Sequence, residues 1–397
     1  MRDCFGRNID YLRISVTDRC NLRCVYCMPD EGVPALAHDQ ILTYEEIIEV
    51  AAVAKGLGIK HIRITGGEPL VRKNVISLVR GLKALDFPDI SMTTNGVLLP
   101  PLSRELKDAG LNRVNISLDT LDPDKFSEIT RRGKLKDALA GIQSALRAGL
   151  DPVKINTVIT GDNFDEIRNI AALTRKWPVH VRFIEVMPIG PDQLPAHTGM
   201  VPVDAVIAET SKLGHLLPLP ASVSNRHSPD ASAAGETSAS GGPEGTRTTV
   251  DQGSDMAFEP ELVQLRSAGP ARTFKLSGAR GTIGFIGAIS HPFCSSCNRL
   301  RLTADGKLRP CLASDYEIDL MPVLRQAMQG QETAKQVTPG QTQTSHFLEP
   351  EYLKYHQETI SAKGLEDAFR LALSLKPQGH DLTENHGHAR RMCQIGG

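Results

Sequence analysis

The stretch LRISVTDRCNLRCVYC, residues 12–27, decides the fold and points to the chemistry. Side chains of a strand alternate between its faces, and here Leu12, Ile14 and Val16 are apolar while Arg13, Ser15 and Thr17 are polar. A strand over 12–16 with one apolar face follows. Directly after it come Cys20, Cys24 and Cys27, a C-x3-C-x2-C group on a loop. Zinc usually takes four protein ligands in a closed site, yet no fourth Cys or His stands at ligand spacing, and His38 is distant. Three thiolates suit an iron-sulfur cluster with one iron left to an outside ligand.

Outward from this stretch the same unit repeats as far as Pro188: a β-rich run, a polar turn, an amphipathic stretch. After the first run come residues 61–65, 90–94, 113–118, 153–158 and 179–186. Between them lie helical patterns at 44–56, 74–85, 102–109, 135–148 and 164–176, with Thr43 and Asp162 or Asn163 as N-caps. Six strand-helix units predict an α/β fold with parallel strands and right-handed crossovers. Periodicity alone leaves open whether the sheet is flat or curves into an incomplete barrel. Residues 221–255 break the pattern. Of these 35, 23 are Ala, Ser, Gly, Thr or Pro, too few apolar groups to offset ordering entropy, so a disordered insertion is expected; 329–345 looks similar. Residues 272–276 and 282–286 read as a hairpin around Gly278 to Gly281. The expected organisation is a barrel domain over 1–215, the insertion, a cluster-binding region over 258–325, and a tail segment over 329–397.

The second faces of the strands carry Arg13, Arg63, Lys154 and Arg182. Four cations converging inside an α/β fold call for an anionic ligand or internal carboxylate partners, and Glu185 can pair with only one of them. The turns after the strands hold Gly66-Gly67-Glu68-Pro69, Thr93-Thr94-Asn95-Gly96, Ser117-Leu118-Asp119 and Met187-Pro188. Ligands of parallel α/β folds bind at the carboxyl ends of strands, so these turns should border one cavity with the cations.

Global composition narrows the function by exclusion. With 45 basic against 46 acidic residues and 40% hydrophobic content, the chain is neither a basic nucleic-acid binder nor an acidic disordered tail. No apolar run is long enough for a membrane span and no leader is visible, so a reducing cytoplasm is expected. In such a compartment clustered cysteines read as metal or redox ligands. Of eight cysteines, Cys4 and Cys393 stand alone and read as spare thiols; Cys294, Cys297 and Cys311 form a second triad. A Cys3His zinc site with His291 is the simpler reading of that triad, but His291 precedes Cys294 by only two residues and Pro292 stiffens the link. Arg299 and Arg301 fall on one side of a strand between these ligands. They read either as solvated charge or, beside a cluster, as a phosphate clamp.

The C-x3-C-x2-C group with Tyr26 before its third cysteine, and Gly-Gly-Glu-Pro one strand later, closely resembles the radical S-adenosylmethionine superfamily. That resemblance implies an incomplete (β/α)6 TIM-type barrel with a C-terminal iron-sulfur-binding region. It implies a [4Fe-4S] cluster on Cys20, Cys24 and Cys27, with S-adenosylmethionine held at its open iron by Gly66 and Gly67 and lined by Tyr26, Ser117 and Met187. Residues 5–7, 12–21, 182–188, 294–301 and 395–397 together look like a narrower family, that of molybdenum cofactor biosynthesis protein A, the GTP 3',8-cyclases. This implies a second [4Fe-4S] cluster on Cys294, Cys297 and Cys311 facing the guanine. It places Arg13, Arg63, Thr94, Lys154, Arg299, Leu300 and Arg301 on GTP, with Arg182 joining them. An electron donor is implied, a homodimer is compatible, and neither nucleic acid nor membrane is a partner. Gly396-Gly397 either threads into the cavity, as the family's tail does, or frays like most termini. One departure stands out: His61 takes the place where the family commonly has lysine, which implies weaker or pH-dependent phosphate binding. Rival readings are another radical enzyme with an auxiliary cluster, an iron-sulfur electron carrier, and a zinc-structured binding module.

Overall fold

A computed structural model describes residues 1–190, 199–219, 269–325, 360–380, 382 and 390–396. The expected insertion at 221–255, the polar stretch at 329–345 and Gly397 lie outside these residues. Six parallel strands follow one another in chain order: β1 (Tyr11–Ser15), β2 (His61–Thr65), β3 (Asp89–Thr94), β4 (Arg113–Ser117), β5 (Lys154–Ile159) and β6 (His180–Glu185). The helices that return the chain between and after them are α1 (Tyr44–Gly56), α2 (Val75–Ala84), α3 (Ser103–Asp108), α4 (Pro123–Thr130), α5 (Leu135–Arg147), α6 (Ile167–Lys176) and α7 (Val203–Ser211). This is the (β/α)6 order of a partial barrel.

The alternation read from the sequence decides which face is covered. Leu12, Ile14, Ile62, Ile64, Val114, Ile116 and Ile155 are fully buried in one core. Truncating one of them, such as Ile64→Ala, should cost about 2–5 kcal/mol. Local signals fix the helices. Thr43 caps α1, its hydroxyl accepting from Glu46 N at 3.1 Å while the Glu46 carboxylate accepts from Thr43 N at 2.7 Å. The Asp122-Pro123 pair opens α4, which the periodicity missed: Asp122 accepts from the backbone of Asp124 and Lys125. Helix α6 starts three residues later than its pattern. Asn163 binds the carbonyls of Asp119 and Val158, and Glu166 binds Thr120 and Leu121, which ties residues 161–166 into a tighter 3-10 turn.

The C-terminal part of the chain extends the sheet at both edges. Strand β9 (Ile283–Ile286) lies parallel to β6, and β10 (Arg299–Leu302) lies parallel to β1. The expected hairpin forms, with β8 (Arg272–Leu276) antiparallel to β9. Short strands β7 (Leu216–Pro218), β11 (Lys307–Arg309) and β12 (Ile318–Asp319) complete the edges, and α8 (Ile360–Ser374) packs on α1 and β11. Among the described residues no helix is long and apolar enough to cross a membrane.

Candidate active site

Parallel register assembles the cations. Arg301 of β10 pairs with Arg13 of β1, which pairs with Arg63 of β2, so three guanidinium groups stand in one row across three strands. Arg182 joins from β6, opposite Asn156 of β5. These four and Arg299 line a cavity of about 310 Å³, within the range of about 300–1,000 Å³ typical of small-molecule sites. Burial pushes the Arg13 guanidinium well down, with Arg301 and Arg63 adding to the effect. Arg182 is pushed down to about 9 by burial and then by Arg63 and Arg113, and Arg301 to about 9 by burial and Arg299. Arg182 and Arg301 remain charged at neutral pH, and an anion would favour the charged form of all three.

Glu185, expected to pair with one of these cations, does not. Its carboxylate accepts from Val203 N, Ile289 N, Ser290 N and the Ser290 hydroxyl, and so fastens α7 and the loop after β9 to β6. Among the described residues Asp89, missed from the sequence, is a counter-charge beside this group. It takes Arg113 Nε at 2.8 Å and Nη2 at 2.5 Å, with His61 Nδ1 at 3.1 Å. His61 also stacks on Tyr11 at 5.7 Å and does not line the cavity.

The two triads stand at opposite ends of the strands. Cys20, Cys24 and Cys27 follow the carboxyl end of β1. Cys297 precedes Arg299, whose register partner Tyr11 begins β1, and Cys311 follows β11, which runs antiparallel to β10. All six line the same cavity. At the first end burial pushes the Cys20 thiol up to about 11 and Cys24 higher still. Carboxylates sit nearby. Glu68 accepts from Thr94 Oγ1 and Asn95 N at 2.7 Å each and is pushed up to about 7 by burial. Asp119 accepts from the Tyr26 hydroxyl at 2.7 Å and is pushed up to about 6 by burial. At the second end burial works against ionisation of Cys297, but Arg299 and Lys376 outweigh it and bring the thiol down to about 6.

The donor sets fit iron-sulfur clusters better than zinc. Among the described residues no three His, Cys, Asp or Glu groups close around a single metal ion, and three thiols without a closing fourth ligand are the donor set of a cluster with one open iron. His291, the candidate fourth zinc ligand, is bound to Asp204 at 2.9 Å instead and does not line the cavity.

Of the residues singled out from the sequence, Tyr26, Gly67, Thr94, Ser117 and Met187 line the cavity with the arginines. Gly67 has a steric reason: a Cβ there would sit 2.4 Å from the Arg19 carbonyl oxygen, so glycine lets the cysteine loop press against β2. Lys154 lies behind the wall, its Nζ buried without a hydrogen-bond partner among the described residues. Leu300 does not join: its side chain belongs to the core, so only its backbone could meet a ligand. Gly396 is threaded rather than frayed. Its φ is +70°, a Cβ would meet Thr65 Cγ2 at 2.8 Å, and its carbonyl accepts from Arg301 Nη1 at 2.8 Å. Cys393, read as a spare thiol, lines the cavity beside Cys27, whose thiol it pushes up. Arg113 was legible, since it continues the alternation of Asn115 and Ser117; Cys393 gave no signal in the sequence.

The chain matches the family description "Radical SAM superfamily" over residues 14–174 and "Molybdenum Cofactor Synthesis C" over residues 250–345. It is 43% identical over 400 residues to the GTP 3',8-cyclase of Petrotoga mobilis, covering all of both chains. It is 44% identical over 399 residues to that of Moorella thermoacetica, again over the full length of both. Among solved structures it is similar to Streptococcus suis SuiB bound to S-adenosylmethionine, at 16% identity and TM-score 0.43 over 52% of this chain and 48% of that one; this partial likeness adds no weight. On full-length identity at this level, the chain belongs to the GTP 3',8-cyclase family of the radical S-adenosylmethionine superfamily.

Proposed function

We propose that the protein cyclises GTP to 3',8-cyclo-7,8-dihydroguanosine 5'-triphosphate, the first step of molybdenum cofactor biosynthesis. The observation that carries this reading is one cavity with a thiol triad at each end, carboxylates near the first and five arginines between and beside the second. Charge then orients two ligands. S-adenosylmethionine bears a sulfonium cation and suits the end with Glu68 and Asp119; a nucleoside triphosphate is polyanionic and suits the arginines. Cys20, Cys24 and Cys27 would hold a [4Fe-4S] cluster, and Cys294, Cys297 and Cys311 a second. When bound, the first cluster and S-adenosylmethionine supply the one-electron chemistry that removes the 3' hydrogen of the ribose, with the electron drawn from an external donor.

The chain's own residues supply positioning. Tyr26, Gly67, Ser117 and Met187 line the cofactor end. Arg13, Arg63 and Arg182, backed by Lys154, hold the phosphates, while Arg299 and Arg301 clamp the nucleotide toward the second triad. Thr94 acts through Glu68, because its hydroxyl is committed to that carboxylate. Leu22, Phe126, Ile184 and Val186 give the wall an apolar lining that excludes water, which matters because a radical must meet one ribose hydrogen and little else. Gly396 narrows the same space by its close approach to Thr65 and by holding Arg301.

The test is anaerobic turnover of the reconstituted protein with GTP, S-adenosylmethionine and a one-electron reductant. The expected products are 5'-deoxyadenosine, methionine and the cyclised nucleotide. Formation of 5'-deoxyadenosine without a GTP-derived product would overturn the substrate while leaving the superfamily chemistry intact.

A further inference from the structure

The two triads are built differently. Cys20, Cys24 and Cys27 share one short loop, whereas Cys294 and Cys297 flank the turn before β10 and Cys311 follows β11. The antiparallel ladder of β10 and β11 pairs Leu302 with Leu308 and Arg301 with Arg309, and goes no further toward the cysteines. Beyond it the two segments are joined by Lys376, just after α8. Its Nζ donates to the Arg299 carbonyl at 2.7 Å and to the Pro310 carbonyl at 2.6 Å. Arg299 stands two residues after Cys297, and Pro310 immediately precedes Cys311. Two carbonyl oxygens aimed at one point repel each other unless a donor lies between them, so the ammonium sets their separation. Lys376 is only 3% exposed, yet it lines the cavity with all three cysteines. Burial pushes its ammonium down, and Cys297 and Cys311 are the groups that oppose this.

The remaining cysteine is tied to the same segment. Arg7, paired with Asp3 at 2.6 Å, donates through Nη1 to the carbonyls of Cys294 at 2.8 Å and Gln378 at 3.1 Å. Its Nη2 donates to the Pro377 carbonyl at 2.7 Å. Through Lys376 and Arg7, residues 376–378 are thus fastened to every segment that carries a thiol of the second triad.

We propose that Lys376 is a positioning residue for the second triad: it fixes the span between Cys297 and Cys311 at which a [4Fe-4S] cluster is held, and its charge raises that cluster's reduction potential. This rests on the reading above, in which Cys294, Cys297 and Cys311 hold a second cluster. Outer hydrogen bonds orient metal ligands, and charge near the sulfurs is one of the levers on cluster potential. A buried ammonium favours the reduced cluster, which carries one more negative charge.

The experiment uses the full chain reconstituted anaerobically with iron and sulfide, read by iron analysis and by redox titration followed with electron paramagnetic resonance. Wild-type protein should load about eight iron atoms and show two cluster signals. Lys376→Met, similar in length but without donor or charge, should lose the second signal and fall to about four iron atoms. Lys376→Gln keeps amide donors for the carbonyls and removes the charge. It should retain both clusters, with the potential of the second shifted negative and that of the first unmoved, a separation that a merely structural role would not produce. A Lys376→Met protein that loads both clusters at wild-type potentials would overturn the proposal, as would a Lys376→Gln protein whose second potential is unchanged. If Lys376→Met did not fold, the potential of Lys376→Gln would still decide. Wild-type protein that loads only about four iron atoms would bring down the two-cluster reading and this inference with it.

Discussion

Each end of the cavity carries a triad of thiols, with Cys393 beside the first, and the two ends have opposite electrostatics. Around the first triad burial holds protons on Cys20 and Cys24 and draws Glu68 and Asp119 toward neutrality, while Cys27 is raised first by Cys393 and then by burial. The Arg23 guanidinium is turned to the carbonyls of Cys20 and Leu22 at 2.7 and 2.8 Å. Around Cys297 the positive charge of Arg299 and Lys376 wins over burial, and the thiol falls to about 6. The difference teaches that the triads are not duplicates. The first end has the charge to suit a cationic ligand, whereas the second has cations enough to stabilise thiolate and polyanion together.

The largest effects should come from breaking each end separately. Cys24→Ser should abolish 5'-deoxyadenosine formation, whereas Cys297→Ser should abolish cyclised product while sparing reductive cofactor cleavage. Each variant should retain about four of eight iron atoms, as expected for two independent [4Fe-4S] sites. Iron analysis and product chromatography check both. If Cys297→Ser also lost all cofactor cleavage, the ends would not be functionally separate.

Next comes the clamp. Arg299→Ala removes a charged donor and should weaken GTP binding by about 10- to 100-fold, the worth of a charge-assisted hydrogen bond, with cofactor cleavage preserved. Equal GTP affinity in the variant, measured by anaerobic dialysis, would leave the second end without its assigned role.

A pH series sharpens the first end. With Glu68 pushed up to about 7, the carboxylate is largely ionised at pH 8 and largely protonated at pH 6. A sulfonium ligand favours the ionised form, so its affinity should fall as pH drops through 7, by up to about tenfold per unit. Glu68→Gln should flatten this profile. A profile that is unchanged by the substitution would mean that Glu68 serves only its hydrogen bonds to Thr94, Asn95 and Leu70.

How much of this was legible follows from the range of each signal. Period-two alternation in residues 12–16 and 61–65 located the strands, and it separated the apolar face from Arg13 and Arg63, because strand geometry is local. The position of Cys20, Cys24 and Cys27 after a strand was equally local. What the sequence hid depends on register between distant segments. Nothing near Arg301 says that it pairs with Arg13, nothing near Asp89 says that it meets both Arg113 and His61, and nothing in the tail brings Cys393 to Cys27. Glu185 misled for the same reason: its place in a cationic strand suggested an ion pair, while its partners are backbone amides of segments far along the chain.

The smallest expected effect tests where the cationic site stops. His61 occupies a position where family resemblance implies lysine on phosphate, yet its ring is held between Asp89 and Tyr11, outside the cavity wall. A lysine placed there would meet Asp89 first. That carboxylate already binds Arg113, and burial opposes its charge, but hydrogen bonds from His61 and Arg113 keep it ionised well below the usual range. A new ammonium should therefore be absorbed by Asp89 rather than added to the row of Arg301, Arg13 and Arg63. His61→Lys should change GTP affinity by less than about threefold, roughly the worth of an exposed ion pair. Anaerobic dialysis at pH 6 and pH 8 decides it: a gain of tenfold or more would show that the phosphate site reaches past Arg63 to the start of β2, and that the second end of the cavity extends further than its lining suggests.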